Sequence, residues 1–166
     1  MSFADHLVLW LHIAFAVFTV GPVALAISST PRYIRKREVT IVRYLTRITT
    51  IFTAGSLAVL ILGIAAGQML HELSKPWLTA AMTLFLVTLV LLVVVISDQR
   101  KAIRALEAET AAADVPADQP EQTVSPEERA PVAAHQASVE RGRIAVMGGV
   151  VNLIWLAVLA LMVWQP

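Results

Sequence analysis

Residues 48–67 carry no charged side chain, and the segment just before them holds Arg32, Arg35, Lys36, Arg37, Arg43 and Arg47 against one acid, Glu38. Roughly 20 residues of helix rise about 30 Å, which matches the hydrocarbon core of a bilayer. A basic collar fused to such a run is how a membrane helix is held at its cytoplasmic end. This pairing limits the fold more than any other feature. With 57% apolar residues, the composition is also too apolar for an ordinary soluble domain.

Three more runs share the property. The first covers residues 7–27 and is free of formal charge apart from the titratable His12. Ala24-Leu25-Ala26 has the small-x-small form of a signal cleavage site. Only Asp5 and His6 precede the run, however, so the positive region of a signal peptide is missing and a permanent helix is expected. Gly21-Pro22 stands near its inner end, where proline removes a backbone donor and favours a kink. The second helix is expected over 46–67. The third covers 77–97, with Ser74 as N-cap and Pro76 in the first turn, and extends to 109 through helix formers that include Ile103 and Leu106. Residues 68–76 allow only a tight connection, so helices two and three are antiparallel neighbours. The fourth helix covers 142–164.

Residues 110–138 differ in character. Pro116, Pro120, Pro126 and Pro131 stand among Asp, Glu, Gln and Ala, a composition that cannot bury enough apolar surface to offset its ordering entropy. A flexible loop is expected there. Residues 1–109 and 139–166 then form a single all-α domain, a bundle of four transmembrane helices.

Twelve of the thirteen Lys and Arg lie either in the collar or within residues 98–143, and Lys75 is alone on the other side. By the positive-inside rule both termini face outward, N-out and C-out, and the Pro-rich loop is cytoplasmic. Arginine outnumbers lysine and alanine is abundant, a leaning that suits a GC-rich bacterium, so the inner (plasma) membrane is the expected location. Cysteine is absent, which excludes disulfides and thiolate metal sites.

Lipid tails compete for apolar contact, so membrane helices associate through small residues and interhelical hydrogen bonds. The expected packing points are Gly55 and the Gly63-x-x-x-Gly67 pair on helix two. On helix four they are Ala145-x-x-x-Gly149, with Gly148 beside it, and Asn152. Thr46, Thr49, Thr50 and Thr53 recur at helical spacing. They either line a polar pathway or bond their own helix carbonyls, and the second reading is preferred. The collar side chains are read as facing anionic lipid rather than nucleic acid.

His12 is the one ionisable side chain inside an apolar span, a position that is functional by default. Helix rise puts it about 8 Å below Leu7, and Met82, five residues past Trp77, reaches a similar depth. A His/Met pair suits a haem iron, so haem b is the one cofactor considered. A four-helix haem b site normally uses two deep imidazoles, and one is present here. The alternative is a neutral His12 bonded to Thr83, Asn152 or a carbonyl across the bundle. On the outer face, Asp5, His6, His71 and Glu72 offer imidazole and carboxylate, with no spacing that fixes a coordination geometry. No Asp, Glu, Lys or Arg lies deep in any span, so the usual parts of a proton relay are missing. No phosphate-cradling glycine loop, nucleophile elbow or HExxH motif occurs.

Leu11-His12-Ile13-Ala14-Phe15 leading to Gly21-Pro22, followed by a basic turn and a glycine-rich second helix, resembles a group of small bacterial four-helix integral membrane proteins. These are distantly like the membrane domain of copper-resistance D proteins. The resemblance covers the apolar segments, implies topology rather than an activity, and through the copper-related likeness points to His12.

The expected role is a non-catalytic accessory or assembly subunit of a larger bacterial membrane complex, with a respiratory assembly as one host. Its partners are then the lipid bilayer and other membrane subunits or a second copy. One alternative is haem- or metal-based electron transfer through His12 and Met82. Another is a small oligomeric transporter lined by the helix-two threonines.

Overall fold

The computed structural model describes residues 3–113 and 126–164. These form four helices: α1 (Phe3–Arg35), α2 (Val39–Met69), α3 (Pro76–Ala113) and α4 (Pro126–Trp164). All four are long and apolar enough to cross a membrane. A helix satisfies its own backbone hydrogen bonds, which is the condition for lying in lipid. Each helix packs against its neighbours in the order α1–α2–α3–α4 and back to α1, while the diagonals hardly touch. The result is an up-down-up-down bundle built from two stacked hairpins. The end carrying the α1–α2 turn is called the basic end below, and the opposite end the far end.

Every helix is longer than the uncharged run that announces it. α1 continues through Pro22 and Pro31 to Arg35, and α2 starts at Val39, so Arg43 and Arg47 are helical. Arginine is a good helix former, and nothing obliges a helix to stop where the bilayer does. The expectation of one flexible loop over 110–138 is corrected on the same ground. Residues 110–113 end α3 and residues 126–138 begin α4; residues 114–125 lie outside the described residues. Pro126 takes the first helical position, where a missing N–H costs nothing. Ala137, eleven residues farther on, is buried in the same cluster as Ala102, Ala105 and Leu106. Small alanines let α3 and α4 stay in close contact beyond the apolar runs.

Two tight turns close the hairpin α1–α2 and link α2 to α3. In the first, Arg37 has φ 58, and Glu38 N–H donates to Tyr33 O at 3.1 Å. In the second, His71 has φ 56, and Glu72 N–H donates to Gly67 O at 2.9 Å. Both are helix C-termini finished by a left-handed residue, a position that favours glycine. His71→Gly is therefore expected to stabilise the protein by about 1 kcal/mol, read as a higher unfolding midpoint in mild detergent. An unchanged or lower midpoint would show that the turn carries no such strain.

The densest packing lies toward the basic end. Val23, Ile27, Val42, Leu92, Val95, Ala102, Ile144 and Val151 are all within 1% of fully buried. A polar layer is sealed among them. Gln99 Nε2 donates to Thr30 Oγ1 at 2.9 Å, and Thr30 Oγ1 donates to Ala26 O at 2.8 Å. Asp98 is fully buried beside it, 3.2 Å from Arg143 Nη2 and 3.3 Å from Lys101 Nζ. Large apolar side chains such as Trp10, Phe18, Val90 and Leu153 stay on the outside, where lipid solvates them.

The small residues sort by what faces them. A Cβ at Gly63 would stand 2.9 Å from the His12 ring, one at Gly67 3.0 Å from Leu73 and Leu78, and one at Gly55 an ordinary 3.7 Å from Thr19. On α4 the expected pair is corrected. Ala145 and Gly149 are exposed, and a Cβ at Gly149 would meet nothing within 4 Å. The crossing with α1 is made by Gly148, whose Cβ would come to 2.6 Å from Ile27 Cγ2. One residue is about 100° of helix rotation, which turns the Ala145/Gly149 face away from α1.

Candidate functional site

Toward the far end the bundle loosens into a cavity of about 1010 Å³, reached by all four helices. The cause lies in α1 and α4. They meet at Ile27 and Gly148, and Gly21, six residues farther out, has nothing within 4 Å of where a side chain would start. Above that point the α1 face carries His12, Ile13, Ala16 and Val17, while α4 contributes Trp155, Leu156 and Leu159. Trp77, Met82 and Phe85 of α3 close the opposite wall, and Glu72 stands at the rim.

His12 is held by α2. Its Nδ1 lies 3.0 Å from Val59 O. A carbonyl oxygen only accepts, so Nδ1 carries the proton and donates it, which leaves the Nε2 lone pair of the neutral ring for another partner. The ring rests over Gly63, where any side chain would displace it. Of the contacts expected for a structural His12, the carbonyl across the bundle is therefore the one formed. Thr83 instead donates to Thr79 O on its own helix at 2.9 Å and is exposed.

Met82 and Asn152 line the same cavity as His12, Asn152 at its inner end beside Ser28. Asn152 Nδ2 donates to Ser28 Oγ on α1 at 3.2 Å, and its Oδ1 is buried without a partner. Trp155 Nε1 is also buried without a partner, on the same wall. Leaving such groups unpaired costs about 1–3 kcal/mol each. Trp155 was not singled out from the sequence. The available signal was its position three residues after Asn152, which puts both on one helix face.

The other candidates separate. Thr46, Thr49 and Thr50 donate to Val42 O, Leu45 O and Thr46 O, each within its own helix, as the preferred reading expects. Thr53 Oγ1 alone of the four is buried without a partner. In the collar, Arg37 pairs with Glu109 of α3 at 2.8 Å and Arg43 pairs with Glu107. Both arginines are largely exposed all the same. The acids lie on the part of α3 that extends past its apolar run. Arg32, Arg35, Lys36 and Arg47 are exposed, with Lys36 over the Tyr33 ring at 5.9 Å. Among the described residues, no group of three or more His, Asp or Glu side chains converges in a metal-binding arrangement.

No protein-family model, curated protein or solved structure matches this chain, so the cavity and its few polar groups are what bear on its role.

Proposed function

We propose that this protein is a non-catalytic binding subunit of the bacterial inner membrane, with both termini extracytoplasmic and the basic end in the cytoplasm. The distribution of its basic residues supports that orientation. One observation carries the binding role: an apolar cavity reached by all four helices, with a hydrogen-bond acceptor held at His12 Nε2. Largely apolar walls with a few convergent polar atoms are the make-up of ligand sites. The ligand that fits is an apolar molecule with a hydroxylated ring. Its O–H donates to His12 Nε2, and the ring lies against the aromatic side chains of the wall. Quinols of the membrane pool have this chemistry, and the role we assign is an accessory subunit of a larger, respiratory assembly.

Decylubiquinol added to the detergent-purified chain is expected to quench tryptophan fluorescence saturably. His12→Leu should weaken it about tenfold, the worth of one buried hydrogen bond. Gly63→Leu, which takes the imidazole's seat, should do the same with helix content unchanged. Absence of saturable quenching, or a His12→Leu variant that binds as well as the parent, would sink the quinol reading. Copurification of other membrane subunits from native membranes tests the accessory role, and a chain that always runs alone as a monomer counts against it.

Met82, on the wall opposite His12 in the same cavity, favours haem b as a second reading. His12 would then supply an axial nitrogen through Nε2, its ring fixed by the N–H···O=C contact that commonly orients ligating histidines. A Soret band in the purified protein, lost in His12→Ala, would select this ligand over the quinol.

A further inference from the structure

A second opening, of about 490 Å³, lies between α2 and α3 toward the basic end and is separate from the His12 cavity. It is a slot with two chemically distinct ends. Leu57, Leu89 and Val93 line one end, while Arg100 and Arg104 stand at the other. From Leu89 to Arg104 the helix rises about 22 Å, which is one leaflet of hydrocarbon plus the start of the headgroup layer. Arg100 and Arg104 are one turn apart and exposed. The acids that might neutralise them are engaged elsewhere: Glu107 with Arg43, Glu109 with Arg37, and Asp98 with Arg143 and Lys101. Among the described residues, neither arginine has a carboxylate partner. Thr53 and Ser97 line the slot as well, and Ser97 is one turn deeper than Arg100. Thr53 Oγ1 is buried beside it without a hydrogen-bond partner.

We infer that this slot is a binding site for one anionic phospholipid of the leaflet next to the basic end. The phosphate sits between Arg100 and Arg104, a glycerol ester oxygen accepts from Thr53, and an acyl chain lies along Leu57, Leu89 and Val93. Charge complementarity selects the occupant, because a zwitterionic lipid brings its own cation to the same two arginines and gains less from them.

The test is native mass spectrometry of the full chain in detergent with added phosphatidylglycerol, phosphatidylcholine of the same acyl chains, or inorganic phosphate. Phosphatidylglycerol is expected to bind roughly 30-fold more tightly than phosphatidylcholine, at the usual increment for each of two basic side chains. Arg100→Gln with Arg104→Gln should remove the preference, and Arg32→Gln with Arg35→Gln, in the collar, should leave it. Ala54→Trp plugs the slot and should abolish phosphatidylglycerol binding although both arginines remain. Inorganic phosphate alone should not compete. Equal binding of the two lipids, a preference that survives the Arg100/Arg104 change or the Ala54→Trp change, a preference lost equally with Arg32 and Arg35, or effective competition by phosphate would each overturn the assignment.

Discussion

Arg143→Met is expected to destabilise the bundle by about 3 kcal/mol, the lower end of the range for breaking a buried ion pair. The reason is an asymmetry in exposure. Asp98 is 1% exposed, whereas Arg143 and Lys101 are 46% and 48% exposed and keep their charged ends in reach of water. Removing a cation therefore strands a carboxylate that cannot be solvated, while removing the acid strands cations that can. Asp98 Oδ2 is 3.2 Å from Arg143 Nη2 without hydrogen-bond alignment, so the contact acts through charge. Lys101 sits three residues away on the same helix and compensates less than a partner from α4 does. Three outcomes follow for the unfolding midpoint followed by circular dichroism in detergent. Asp98→Asn should cost less than Arg143→Met, Lys101→Met should also cost less, and Asp98→Leu with Arg143→Met should recover most of the loss. A melting curve for Arg143→Met that overlays the parent would refute the argument.

Gly148→Ala and Gly149→Ala are the same chemical change at adjacent positions, and they are expected to move stability in opposite directions. At Gly148 the added Cβ would stand 2.6 Å from Ile27 Cγ2. Ile27 is 1% exposed and β-branched, so it has no second rotamer to retreat into. Forcing α1 and α4 apart there should cost about 1–3 kcal/mol, more than the gain in helix propensity. At Gly149 nothing is within 4 Å, and only that gain, up to about 1 kcal/mol, is left. Gly148→Leu should be worse again and should prevent stable purification. Equal midpoints for the two alanine variants would mean that α1 and α4 do not cross at this point.

Element number and type were legible in the sequence because uncharged runs of bilayer length admit few other structures. Helix ends were not. A change from apolar to charged residues marks where lipid stops, and the helix can go on, as α2 does through Arg43 and α4 does from Pro126. The grouping of His12 with Met82 followed from depth alone, since depth is a count of residues along a helix. Rotation about each axis is set by packing, and that is why Gly148 rather than Gly149 meets α1 and why Asp98 points inward. A solitary acid at the end of an apolar run reads as a boundary marker until its partners on α4 are known. Trp155 is not legible in this way, because burial of its N–H without a partner depends on the neighbouring helices.

The ties between α3 and the α1–α2 hairpin at Arg37–Glu109 and Arg43–Glu107 have a consequence of their own. These side chains are largely exposed on the arginine side, so dissolved counter-ions shield them, within a Debye length of about 8 Å at physiological salt. The buried Gln99–Thr30 contact feels none of that shielding. The seam between the hairpins is thus a latch with a buried catch at Gln99–Thr30, another hydrogen bond at Asn152–Ser28 and two ion pairs that the aqueous phase can slacken. Its grip rises as the surrounding electrolyte is diluted and falls as it is concentrated, from one face of the membrane only.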